Sequence, residues 1–222
     1  MTRIMEFVWV VPRASLFPSA TPHGLLALAP TALEQEFLQP CREHGFFAER
    51  RWAETRPDFK QPIPYVAVMR DAELLCLTRL GSQGEKRLHG KRSIGVGGHI
   101  NPCDAPQDRG GPDLFARACH RELHEELVLP PEAELRLRPI GLLNDDTTPV
   151  GAVHVGLVYA LDARDFPVAI RETSAMTGSF EPLSSLRRLA ESPDSPFETW
   201  SSLLLRSSAL DLASMPVSLL PR

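Results

Sequence analysis

Three glutamates crowd into five residues of the stretch Arg121-Glu122-Leu123-His124-Glu125-Glu126-Leu127-Val128-Leu129. Each residue of an α-helix advances about 100°, so Glu125 falls near −60° and Glu126 near +40° relative to Glu122. All three carboxylates then share an arc of roughly 100°. Leu123 and Leu127, one turn apart on the adjacent stripe, can anchor such a helix in a core. Like charges at this spacing repel by a few tenths of a kcal/mol per pair. A hard divalent cation removes that cost, because Mg²⁺ takes oxygen ligands and is held by one or two carboxylates plus substrate phosphates. The bland alternative is a solvated acidic face paired with Arg117 and Arg121.

The surroundings give this helix firm bounds. Gly110-Gly111-Pro112 announces it, and Pro130-Pro131 stops the chain soon after Leu127. Upstream, residues 65–69 and 73–78 read as two strands joined by a tight turn near Asp71. A basic loop from Gly81 to Arg92 leads to a short strand, 93–96, and then Gly97-Gly98-His99. Downstream, 135–143 and 152–161 are strand candidates, and helices are expected near 182–190 and 197–205. The first 60 residues hold an apolar strand at 5–11, a short helix at 31–38, and an aromatic, Arg-rich stretch at 45–54 with no clear assignment. Strands on either side of one amphipathic helix predict an α/β (α+β) fold, an α/β/α sandwich around a mixed sheet. Residues 1–60 are expected to form an extension packed on the core, and 61–222 a single domain that includes the C-terminal helices.

Composition narrows the function. The 222-residue chain carries a formal net charge of −4. Stable nucleic-acid binding, which needs excess Lys and Arg to displace counterions, is not expected. Cys41, Cys76, Cys103 and Cys119 form no C-x-x-C pair, so zinc ribbons and redox motifs find no support. There is no apolar run of the roughly 20 residues that a membrane helix needs, and a cytoplasmic protein is expected.

In register, Arg121, Glu122, Leu123, Glu125, Glu126 and Leu129 match the second half of the pattern G-x5-E-x7-R-E-U-x-E-E-x-G-U, in which U is bulky and aliphatic. With Gly97-Gly98 ahead of them, the chain resembles the Nudix (MutT-like) hydrolases. Separated from Arg121 by seven residues, Asp113 takes the place of the first Glu of the box. Fourteen residues then separate Gly98 from Asp113 where the pattern has five, an insertion of nine. Val128 stands where the box has Gly, so the exit from the helix must differ, because Val disfavours a left-handed C-cap.

The resemblance implies a metal-dependent pyrophosphohydrolase: water attacks one phosphorus of a diphosphate linked to another moiety, with Mg²⁺ or Mn²⁺ as cofactor. It implies Glu125, Glu126 and the Gly97 carbonyl as metal ligands. Glu122 would bind a second ion or orient the water, and Arg121 would hold Glu122 and Asp113 in place. Substrate contacts are sought at Arg79, Lys86, Arg87, Lys91 and His99. A further carboxylate from a distant loop is sought among Asp145, Asp146, Glu172 and Glu181, the last two ranked first. The expected partner is a small-molecule diphosphate. Residues 1–60 are open to use as a lid, a homodimer surface or extra packing. Two rivals remain in view. One is a silent Nudix module that binds a nucleotide metabolite or a protein, disfavoured by the intact glutamates. The other is an isopentenyl-diphosphate-isomerase-like enzyme, disfavoured because Gly97 stands where that chemistry needs Cys.

Overall fold

The computed structural model describes residues 5–80, 90–106 and 113–213. The chain opens with strands β1 (Phe7–Pro12), β2 (Gly24–Ala27) and β3 (Phe46–Glu49). Four strands follow: β4 (Phe59–Arg70), β5 (Glu73–Arg79), and the short β6 (Arg92–Ser93) and β7 (Val96–Gly97). After the long helix Leu114–Glu126 come β8 (Leu127–Val128), β9 (Leu137–Asn144), β10 (His154–Asp162), β11 (Ala169–Ile170) and β12 (Met176–Pro182).

The main path of the large sheet runs β12-β5-β4-β10-β9-β2. β10 lies parallel to β4, while β9, β5 and β12 pair antiparallel with their neighbours, so the sheet is mixed. β4 is central because it can be buried on both faces. Val66 and Val68 join one apolar cluster, and Tyr65, Ala67 and Met69 join the other. The first cluster is covered by Phe115, Cys119 and Leu123 of the long helix, the second by Leu186 and Leu204 of helices Leu183–Glu191 and Thr199–Arg206. Helices therefore cover both faces of a mixed sheet, as the sequence pattern predicts. The β4–β5 turn is tight, with Asp71 at φ 52°, a left-handed conformation that Asp tolerates through its short polar side chain.

The first 60 residues enter both the sheet and the core. β1 pairs with β3 and β4, and β2 adds an edge beside β9. The helical segment expected at 31–38 runs from Pro30 to His44 with a π-type turn at Glu34–Leu38, and its Leu33, Phe37 and Cys41 lie in the same cluster as Val66 and Leu123. The unassigned stretch 45–54 forms β3 and a helical turn, Arg50–Ala53. Trp9 packs edge-on against Phe47 at 4.8 Å, and Trp52 packs tilted against Phe59 at 5.1 Å.

Two edge strands, β2 and β12, escape a reading by alternation. β12 reads Met-Thr-Gly-Ser-Phe-Glu-Pro and is buried only at Met176, so it carries no apolar face to betray it. Its place is set by pairing with β5 along its whole length, Met176 opposite Arg79 to Pro182 opposite Glu73. Among the described residues no helix is long and apolar enough to cross a membrane.

Candidate active site

The helix that carries the glutamates starts where Asp113 accepts a hydrogen bond from the Ala116 amide at 2.9 Å, an N-cap. The other oxygen of Asp113 accepts from Arg42 at 2.6 Å, so the N-terminal helix segment is tied to the start of the glutamate-bearing helix. The helix ends at Leu127, which is extended at φ −119° and ψ 149° and begins β8. This exit explains Val128. It enters a two-residue strand paired with β11 rather than a left-handed cap, and a β-branched residue suits that conformation.

Arg121 is not the partner of Asp113. Its Nε and Nη2 donate to the two carboxylate oxygens of Asp104, each at 2.9 Å, while Nη1 donates to Glu122 at 2.7 Å and to Glu125 at 3.1 Å. Asp104 is buried, and its Oδ2 also accepts the Asn101 amide at 2.8 Å. The expected Arg121–Asp113 pair is thus corrected to Arg121–Asp104, because Asp113 is already engaged at the helix cap and with Arg42. Asp104 follows Gly98 with five residues between, the spacing the box prescribes for its first acid. The nine extra residues therefore lie between that acid and Arg121, not before it. Counting forward from the glycines would have found Asp104. Counting back from Arg121 finds Asp113.

Gly97 and Gly98 allow two close approaches. A Cβ on Gly97 would lie 1.9 Å from the Pro64 carbonyl oxygen, and one on Gly98 would lie 2.4 Å from Glu122 Oε1. The Gly98 backbone thus presses on the carboxylate itself. Glu122, Glu125 and Glu126 line one cleft of about 270 Å³, opposite Arg79 and Glu172. Glu172 arrives from 46 positions away by a specific tether. Arg171 donates from Nε to the His124 carbonyl at 2.7 Å, from Nη2 to Leu127 at 3.1 Å, and from its amide to Glu126 at 2.9 Å. No sequence signal marked Arg171, whose partners are backbone carbonyls of the helix end.

The electrostatics of the cleft are those of crowded acids. Burial pushes the Glu126 carboxyl up to about 7; Glu122, Glu125 and Glu172 add to the rise, against the pull of Arg79 at 3.6 Å. Burial also raises Glu122, against the pull of Arg121. Negative charge collects here without full compensation, which suits a divalent cation. Among the described residues no three His, Cys, Asp or Glu side chains form a ready-made cage.

The other expected residues divide. Arg79 lines the cleft and Lys91 is exposed. Lys86 and Arg87 lie outside the described residues. Glu181 does not line the cleft and is paired with Arg92. Asp146 is held at 2.6 Å by both Arg13 and the buried Lys60, and Asp145 accepts from Thr147 at 2.6 Å. The His99 carbonyl accepts from Arg121 at 2.8 Å, while its ring turns to His154.

No protein-family model matches the chain. It is 32% identical to Protein YmaB of Bacillus subtilis over 209 residues, covering 92% of this chain and 98% of that one. The crystal structure of Tm1382, a proposed Nudix hydrolase, superposes with a TM-score of 0.72 at 27% identity, covering 90% of this chain and 96% of that one. The chain is a Nudix hydrolase. A Nudix hydrolase from Alicyclobacillus acidocaldarius is more distant, at a TM-score of 0.49 and 14% identity over 73% of this chain and 98% of its own. As in the Nudix pattern, an arginine–glutamate pair sits on a helix behind a Gly-Gly strand end. Here the acid that anchors the arginine is an Asp, and nine more residues than the pattern has separate it from Arg121.

Proposed function

We propose that this Nudix hydrolase cleaves a phosphoanhydride bond in a nucleoside diphosphate linked to another moiety, or in a related organic diphosphate, in a reaction that depends on Mg²⁺ or Mn²⁺. The observation that supports this most is the convergence of Glu122, Glu125, Glu126 and Glu172 with Arg79 on one cleft. Glu125 and Glu126, with the Gly97 carbonyl, are the groups to hold a divalent ion. Such an ion supplies charge neutralisation at the phosphate oxygens and an acidified water.

The chain's own residues do the rest. Arg121 is locked by Asp104, so its Nη1 holds Glu122 and Glu125 in fixed positions. Carboxylates fixed in this way would grip a cation, whose positive charge would offset the charge that phosphate oxygens gain. Glu172, across the cleft, is the carboxylate available to take a proton from water. Arg79, half exposed at the cleft wall, is placed to meet a substrate phosphate.

The test is hydrolysis of a panel of nucleoside-diphosphate derivatives by the purified chain, with Mg²⁺ and then Mn²⁺, beside Glu126→Gln. Metal-dependent cleavage that is lost in the variant supports the reading and names the substrate class. Cleavage that survives in Glu126→Gln, or that persists after chelation, overturns it.

A further inference from the structure

A second group of chemistry-bearing side chains lies on the opposite face of the sheet from Glu122. Val158 and Ala160 of β10 belong to the cluster under the C-terminal helices, and His154 shares their face by two-residue steps. Gln61 of β4 is the register partner of His154 and shares the face of Tyr65 and Ala67. The His99 ring meets His154 from the loop after β7. His99 Nε2 and His154 Nε2 are 3.2 Å apart. His154 Nδ1 is 2.7 Å from the Val150 carbonyl, which can only accept, so Nδ1 carries the proton and Nε2 offers its lone pair.

Gln61 sharpens the picture. It is 1% exposed, and neither the oxygen nor the nitrogen of its amide has a hydrogen-bond partner. A buried amide left unpaired is destabilising unless something binds it. Two imidazoles that face each other through Nε2, one fixed by a carbonyl on its far nitrogen, are the arrangement of metal-ligating histidines. Two nitrogens bound at 2.0–2.1 Å to one tetrahedral ion stand about 3.3 Å apart, close to the spacing seen here.

We propose that His99 and His154 form a second metal site, for an imidazole-preferring divalent ion such as Zn²⁺, with the Gln61 amide oxygen as a third donor. The ion takes the place of the one proton now shared between the two Nε2 atoms, and that proton moves to Nδ1 of His99. No net charge is lost from either ring. Nearby cations do not oppose it alone. Arg50 is paired with Glu6 and Glu54, Arg121 with Asp104, and Lys60 with Asp146. Imidazole donors favour Zn²⁺, Ni²⁺ and Cu²⁺, whereas the carboxylate cleft suits Mg²⁺, so the two sites separate by chemistry. The ion would pin the Gly97–His99 loop, whose last carbonyl Arg121 grips, to β10.

The test is titration of the metal-stripped full chain with Co²⁺ in the presence of excess Mg²⁺, followed by visible absorption. One equivalent should develop the d–d bands of a low-coordinate nitrogen site, and Zn²⁺ should abolish them. His99→Asn and His154→Asn should each weaken Co²⁺ binding at least about tenfold, and Gln61→Met should weaken it with the fold intact, whereas Glu126→Gln should leave the bands in place. Absence of bands in the unsubstituted chain overturns the proposal, as do bands that vanish in Glu126→Gln but persist in both histidine variants. Should the histidine variants fold poorly, imidazole ¹⁵N shifts of the unsubstituted chain decide: movement of both Nε2 signals with Zn²⁺ supports the site, and no movement overturns it. These readouts do not involve hydrolysis, so their failure leaves the proposed activity untouched.

Discussion

Arg121 and Asp104 meet fork to fork, with two hydrogen bonds of 2.9 Å each, behind a helix that begins ten residues after Asp104. Asp104 is almost wholly buried, and Arg121 spends its remaining nitrogen on Glu122 and Glu125. The pair therefore sets the positions of two carboxylates at once, and its loss should be felt in the cleft as well as in the fold.

Asp104→Asn should lower the hydrolytic rate by about a hundredfold, because it frees the guanidinium that orients the acids. Breaking a pair buried on one side should also cost about 3 kcal/mol of stability. Asp113→Ala should instead cost about 1 kcal/mol, the worth of an N-cap, with the rate per folded molecule nearly unchanged. Equal loss of rate in both variants, measured beside guanidinium unfolding curves, would return Asp113 to the site.

The two glycines before the helix should respond differently to a methyl group. At Gly97 the new Cβ meets the Pro64 backbone, which cannot swing aside, so Gly97→Ala should lower the thermal midpoint by several degrees, reflecting a cost of about 2 kcal/mol. At Gly98 it meets the end of the Glu122 side chain, which can move. Gly98→Ala should fold almost normally but lose activity by about tenfold or more, because a displaced carboxylate is a misplaced catalyst.

Glu172 and Glu181 should separate cleanly. Glu172→Gln, in the cleft opposite Glu126, should reduce the rate by about tenfold to a hundredfold and leave the melting temperature unchanged. Glu181→Gln should leave the rate alone and cost about 1 kcal/mol through its lost partner Arg92. The reverse pattern would assign the distal carboxylate to Glu181.

Thiol chemistry offers a check on the core. Cys103 is exposed and Cys41, Cys76 and Cys119 are buried, so a thiol reagent should modify one cysteine in the folded chain and four after denaturation. Burial pushes the Cys76 thiol up to about 11. Its folded pKa exceeds its unfolded one, so the stability it contributes is present below about pH 9 and is lost as pH rises toward 11. Between those limits the unsubstituted chain should lose on the order of 2 kcal/mol more than Cys76→Ala.

What the sequence determined by itself is whatever depends on local periodicity. The 100° step of a helix places Glu122, Glu125 and Glu126 together whatever surrounds them, and the strands about Asp71 and the capped helix follow from patterns a few residues long. The strand within β4 and a mixed sheet sandwiched by helices were legible for the same reason. What only the tertiary structure decided are partnerships across long loops. Asp104 rather than Asp113 reaches Arg121, because the nine extra residues follow the acid in sequence and Asp113 is spent on the helix end and Arg42. Glu172 rather than Glu181 faces Glu126, because Arg171 clips its loop to the carbonyls at the helix end, and carbonyls leave no trace in residue identity. His99 and His154 meet only because β10 lies beside β4, a pairing made by backbone hydrogen bonds, to which any side chain can be attached.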